Sequence, residues 1–220
     1  MYSASAILES EIYGLTGEAL RIASKTRNRV IANKPKSSDG KFELMRNKHG
    51  SVRVKNLPSF LKEIHDTLSQ RANEIRQKYG LDQFGNVGIA EININGIISE
   101  SKAYSGFNNL YSLRCDKPTI EDGFASQVKE EDRHFKVLFL NSAQDIDYIK
   151  GWDRSVCTES KIMEDIARKL GNNLFVEGTI NLFTEDVPCK SCRMVFEQFS
   201  KRYPNIKIKV FSNSLYYDRF

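Results

Sequence analysis

Four residues stand out by type and spacing. Cys157-Thr158-Glu159 opens one helical stretch, and Pro188-Cys189-Lys190-Ser191-Cys192 opens another. A C-x-x-C across the first turn of a helix puts both sulfurs on one side, spaced to share a metal ion. A third cysteine from a neighbouring helix start brings the protein ligands to three. A catalytic zinc uses three and leaves its fourth position to water. Helix N-termini also favour thiolate over thiol, through the macrodipole and the free N–H groups. Water on Zn²⁺ becomes available as hydroxide near neutral pH. Glu159 can sit in the same turn as Cys157 without ligating the metal, and can take the water's proton. Such a constellation can attack a carbon bearing an exocyclic amine and expel ammonia.

The C-x-x-C alone leaves other readings open. It could be a redox pair or half of a structural zinc site. The redox reading expects an early strand–C-x-x-C–helix; here the motif is late and follows Pro188. A structural zinc needs a fourth ligand. That would have to be Cys115, His49, His65 or His134, none at paired spacing. Cys115 reads as a bystander in a polar loop, and His65 as solvent-facing. Glu164 and Asp165 read as a solvated helix face, Glu185 and Asp186 as capping charge for the helix that follows. Phe196, Phe199 and Tyr203 read as core. Trp152 divides between core and a ring that stacks on a base.

The elements that must position these residues follow from periodicity. Thr158–Leu170 carries Ile162, Met163, Ile166, Ala167 and Leu170 at helical spacing. Gly178–Thr184 is a strand, Cys189–Tyr203 a helix and Ile206–Phe211 a strand. Helix, strand, helix, strand calls for a partly parallel sheet with helices on its faces. Upstream, Val87–Ile98 alternates as a strand, and Lys136–Leu140 is a candidate second one. Pro58 and Gly80 bracket an amphipathic helix with Leu61, Ile64, Leu68, Ala72, Ile75 and Tyr79 in its stripe. A helix over Ala4–Arg29 and a hairpin of Lys41–Met45 with Ser51–Lys55 precede it. The expected organisation is a basic helical appendage, 1–84, docked on an α/β domain, 85–220.

Composition sets the bounds. The 220 residues, 40% of them apolar, can build a real core. No run approaches the ~18 apolar residues of a membrane span, so no membrane partner is expected. The N-terminus lacks the pattern of a secretory signal, and a toxin domain cut from a longer chain would read the same. Net charge is +5, unevenly spread. Between Arg21 and Lys55 eleven Lys or Arg face two acids, a local net of +9, which leaves −4 elsewhere. The basic segment suits an anionic partner or a solvated surface.

Zinc nucleobase deaminases carry H-x-E … P-C-x-x-C. This chain reads Cys-Thr-Glu … Pro-Cys-Lys-Ser-Cys, a three-cysteine form with cysteine in place of the metal-binding histidine. With the strand between the two helices, the order of elements resembles the cytidine deaminase-like superfamily. Glu159–Ala167, Gly178–Glu185, Pro188–Phe199 and Tyr203–Ile206 resemble its toxin-deaminase branch, found at the C-termini of bacterial polymorphic toxins. The resemblance spans about residues 86–212 and is specific from 157 to 211. It implies a three-layer α/β/α fold with a mixed sheet of about four or five strands. Cys157, Cys189 and Cys192 become zinc ligands, and Glu159 the general acid/base. Thr158, Val187 and Pro188 would hold the base edge; Tyr104 and Asn108 would lie in the pocket or lid, and Trp152 beside it. The implied enzyme is a hydrolase acting on C–N bonds, with cytosine in single-stranded nucleic acid as the expected substrate and adenine left open. Free nucleosides are the alternative substrate, and a zinc-binding module without turnover the non-enzymatic one. An immunity protein is an expected partner, and a reducing cytoplasm, reached by delivery within a longer toxin, the expected place of action.

Overall fold

In the computed structural model, residues 46–47, 50–81, 83–97, 100–107 and 122–220 are described. The helix expected over Ala4–Arg29, the hairpin arm Lys41–Met45, His49, Asn108 and Cys115 lie outside them.

Alternation along three strands builds two cores. β2 (Val87–Ile94) turns Ala90, Ile92 and Ile94 to one and Val87 and Ile89 to the other. β6 (Gly178–Thr184) sets Ile180 and Leu182 against Phe183. β7 (Ile206–Ser212) sets Ile206, Ile208 and Val210 against Phe211. Strands apolar on both faces need cover on both sides. Helices α2 (Thr158–Leu170) and α3 (Lys190–Arg202) cover the first face, with Phe196, Phe199 and Tyr203 in the core as expected. Helix α1 (Ser59–Lys78) covers the second with Leu61, Leu68 and Ala72. The result is the expected three-layer α/β/α arrangement.

Among the described residues the sheet has six strands, where four or five were expected. The additional strands are short or polar: β1 (Val52–Arg53), β3 (Glu100–Tyr104) and β8 (Leu215–Tyr217). The order is β1-β8-β7-β6-β2-β3. β6 and β7 are parallel, and every other pair is antiparallel. A parallel neighbour requires a crossover; α3 provides it, so its first turn stands just past the C-terminal end of β6. Of the candidate strand Lys136–Leu140 only β4 (Phe139–Leu140) is extended, and it pairs with β5 (Trp152–Asp153) in a separate ribbon.

α1 is a layer of this unit, whose span is Leu44–Phe220, so the helix read as appendage packs directly on β2 and β6. Gly80, with φ +56°, ends it as expected. His65 is buried, correcting its solvent-facing assignment: its ring meets Phe183 edge-on at 5.6 Å. Lying four residues after Leu61 and three before Leu68, it falls on the buried stripe.

Candidate active site

Both helix starts converge past the end of β6. Cys157 is the N-cap of α2 and Cys189 the N-cap of α3. Cys189 Sγ accepts from the Cys192 backbone N–H at 3.5 Å, so a sulfur of the cluster also satisfies a free donor of the helix. The Sγ atoms of Cys157, Cys189 and Cys192 all lie within 4.8 Å of one another, the only such group among the described residues. Cys189 and Cys192 sulfurs are 3.4 Å apart. Sulfurs at about 2.3 Å from a tetrahedral zinc sit about 3.8 Å from each other, so the cluster fits one ion. Hydrogen bonds from Cys157 and then Cys192, helped by the charge of Arg154, hold the Cys189 thiol well below its ordinary value. The same sharing pushes Cys157 and Cys192 up. A group that already keeps one thiolate suits a soft divalent cation.

Glu159 is 3% exposed and adjoins the cluster, with Oε2 at 3.5 Å from Cys192 Sγ. Thr184 donates to its Oε1 at 3.1 Å and Thr158 to its Oε2 at 3.1 Å. Burial pushes its carboxyl above the usual carboxylate range, against the pull of its own backbone N–H and of the two hydroxyls. A carboxyl raised in this way, next to a cluster that could hold a metal, suits proton transfer in both directions. Gly88 makes room for the arrangement. A Cβ there would stand 3.0 Å from Thr158 Cβ, so glycine lets the first turn of α2 come down onto β2.

Scanning against known families matches residues 62–214 to the toxin-deaminase model, described as the BURPS668_1122 family of deaminases. The chain belongs to the toxin-deaminase family. The match runs from the first turn of α1 to the end of β7, through both cysteine motifs and Glu159. As a family of deaminases, toxin-deaminases are hydrolases acting on C–N bonds. No curated protein and no solved structure matches the chain.

The remaining candidate residues of this toxin-deaminase divide. Thr158 is fully buried against Glu159, Pro188 is buried, and Val187 is 45% exposed. Trp152 is 58% exposed, which places it outside the core, with the Arg154 guanidinium over its ring at 5.7 Å. Tyr148 and Ile149 are exposed in the preceding turn. Tyr104 is 1% exposed and packs in the core on the α1 side. Lys161 donates to the carbonyls of Tyr104 and Phe107, which ties the turn after β3 to α2.

Three acids are corrected. Glu164 and Asp165 are buried rather than solvated. Glu164 accepts the backbone N–H groups of His134 and Phe135, both at 2.9 Å, while Asp165 accepts from Ser101 at 2.9 Å. Glu185 caps no helix. It pairs with Arg76 of α1 and accepts the Val87 N–H at 2.7 Å. Two residues that the sequence did not point to stand at the site. Thr184 follows from strand alternation, since it lies two residues past Leu182 on the α2 face. Asn86, which bonds Thr158 and Thr184, carried no signal: an Asn after Gly85 reads as a turn.

Proposed function

We propose that this chain is a zinc-dependent deaminase that converts cytosine to uracil in single-stranded nucleic acid, as the effector domain of a bacterial toxin. The observation that carries the reading is a buried carboxylate, Glu159, set against three convergent cysteines at the starts of two helices. A structural zinc has no use for that carboxylate. Cys157, Cys189 and Cys192 would hold the zinc, which when bound supplies Lewis-acid activation of water. Water adds to C4, the bond from C4 to the exocyclic nitrogen breaks, and ammonia leaves. Glu159 takes the water's proton on a carboxylate oxygen and hands it on toward the departing nitrogen.

Support for a polymer comes from the surface beside the site. Trp152 offers an exposed stacking face with Arg154 over its ring, and the charge of Arg154 is felt at Cys189. Aromatic faces paired with cations suit unstacked bases. The basic run Arg21–Lys55 suits phosphates. A base inside a duplex would first have to be flipped out. Among the described residues no helix is long and apolar enough to cross a membrane. Reduced thiols as ligands suit a reducing cytoplasm, and a toxin of this kind implies an immunity protein in its producer.

The test is incubation of zinc-loaded protein with single-stranded DNA, RNA and free nucleosides, followed by mass analysis of the bases. Uracil should form in a single-strand pool. Hypoxanthine would correct the base and conversion of nucleosides alone the polymer; no conversion in any pool would overturn the reading.

A further inference from the structure

Glu159 is held from a distance. Asn86 lies in the turn before β2, 72 residues from Thr158 and 98 from Thr184 in sequence. Its backbone is pinned to the end of β3: Asn86 N–H donates to Ser105 Oγ at 2.8 Å, and Ser105 N–H donates to Asn86 O at 2.9 Å. Its side-chain oxygen accepts the Glu185 N–H at 3.0 Å and the Asp186 N–H at 3.4 Å. Those two donors fix the amide's orientation, because a flipped amide would set N–H₂ against N–H. Asn86 Nδ2 therefore faces the threonines, 2.9 Å from Thr158 Oγ1 and 2.7 Å from Thr184 Oγ1.

Donor counting then decides where the hydroxyl protons point. An amide nitrogen carries two hydrogens, and each hydroxyl carries one. Both amide hydrogens are spent on the two hydroxyl oxygens. Each hydroxyl must donate elsewhere, and its partner is Glu159: Thr184 to Oε1 and Thr158 to Oε2, both at 3.1 Å. One amide thus sets the direction of two hydrogen bonds, one to each carboxylate oxygen. A hydroxyl that turned its proton toward residue 86 would set it against an amide hydrogen, and one turned elsewhere would lose its bond to the buried carboxylate.

We propose that Asn86 is a positioning residue for the reaction: through the hydroxyls of Thr158 and Thr184 it locks the Glu159 carboxylate in the orientation that proton transfer requires. The inference rests on the deaminase reading of the site. It gives Thr158 a side-chain role beside the backbone contact expected at that position, and it makes the start of β2 part of the active site.

Asn86→Asp tests it with little change of shape. The new oxygen still accepts from Glu185 and Asp186, but nothing donates to the threonines, whose protons turn toward residue 86. Thr158→Val with Thr184→Val removes the hydroxyls without adding charge, and Thr158→Ser with Thr184→Ser keeps them. Turnover of Asn86→Asp and of the double valine variant should each fall about 10- to 100-fold, the scale of a misplaced catalytic group. KM should stay within about twofold and zinc content should not change, since only the carboxylate's aim is altered. The serine pair should recover most of the activity. Combining Asn86→Asp with both valines should cost no more than either alone, because they break one chain of contacts. Unchanged turnover, a loss carried by KM, or fully additive losses would overturn the proposal. A crystal structure of zinc-loaded Asn86→Asp judges it independently of turnover. Glu159 displaced from between the threonines, with the cysteines in place, supports it; an unmoved Glu159 refutes it. If wild-type protein deaminates nothing, the functional reading fails, and the crystal structure still decides whether Asn86 holds the carboxylate.

Discussion

The two sides of the sheet are built by opposite rules. α1 runs for 20 residues and buries Leu61, His65, Leu68 and Ala72, one stripe of an otherwise wet helix. α2 runs for 13 residues and buries all but Arg168 and Lys169. Thr158, Glu159, Ser160, Lys161, Glu164 and Asp165 are among them. Burying polar groups is costly unless each is partnered, and five of the six have partners already described. The α1 side contributes stability mainly through apolar contact, with the Arg76–Glu185 ion pair near the end of the helix. The α2 side gives up that simplicity to hold a carboxylate, an ammonium and a set of thiols where water is scarce. Polar residues on a helix therefore mean different things on the two sides, and variants should separate them.

The widest separation is in chemistry. Cys192→Ser should release zinc and reduce turnover to background, and Glu159→Gln should keep zinc while lowering turnover by about 10²- to 10⁴-fold. On the α1 side, Leu68→Ala should cost about 2–5 kcal/mol of stability, leaving zinc content and the turnover of folded protein unchanged. Metal analysis, rate and denaturant midpoint on the same three variants distinguish these outcomes.

Acids come next. Glu164→Ala removes the partner of the part-buried His134 and buried Phe135 N–H groups and should destabilise by about 1–3 kcal/mol. Glu63→Ala, on the exposed face of α1, should stay within about 0.5 kcal/mol. Urea midpoints compare them; equal losses would mean that Glu164 is as solvated as its sequence suggests.

The smallest effect is a slope. Burial pulls the Lys161 ammonium down to about 7 from an ordinary 10.5. Between those values the unfolded chain binds a proton that the folded chain does not. The penalty is complete below about pH 7 and is relieved as pH rises toward the unfolded value, so this group makes stability increase with pH. Lys161→Met should flatten the dependence of the unfolding midpoint between about pH 7 and 10. An unaltered slope would mean that Lys161 keeps its ordinary affinity for the proton.

What the sequence revealed follows the same division. α2, β6, α3 and β7 were legible because their apolar periodicity is unbroken, and the cysteine cluster because cysteines at helix starts are rare and specific. β3 was not: Glu-Ser-Lys-Ala-Tyr reads as loop, yet Ser101, Ala103 and Tyr104 are buried by neighbours far away in the chain. Glu164 and Asp165 were misread for a related reason, since side-chain polarity is encoded locally and burial is not. His65 shows the converse, a polar residue on an apolar stripe that the tertiary packing accepts. Asn86 was invisible because its meaning lies in three segments meeting, and a one-dimensional pattern carries no trace of that.

The central claim is that three cysteines and Glu159 form a deaminating centre. Its most direct test is the mass of a cytosine-containing single strand after incubation with zinc-loaded wild-type protein and with zinc-loaded Glu159→Gln. Wild type should add about one dalton for each converted base, the change of an amine for an oxygen, and the variant should add none. An unchanged strand with wild type, or equal conversion by the variant, would contradict it.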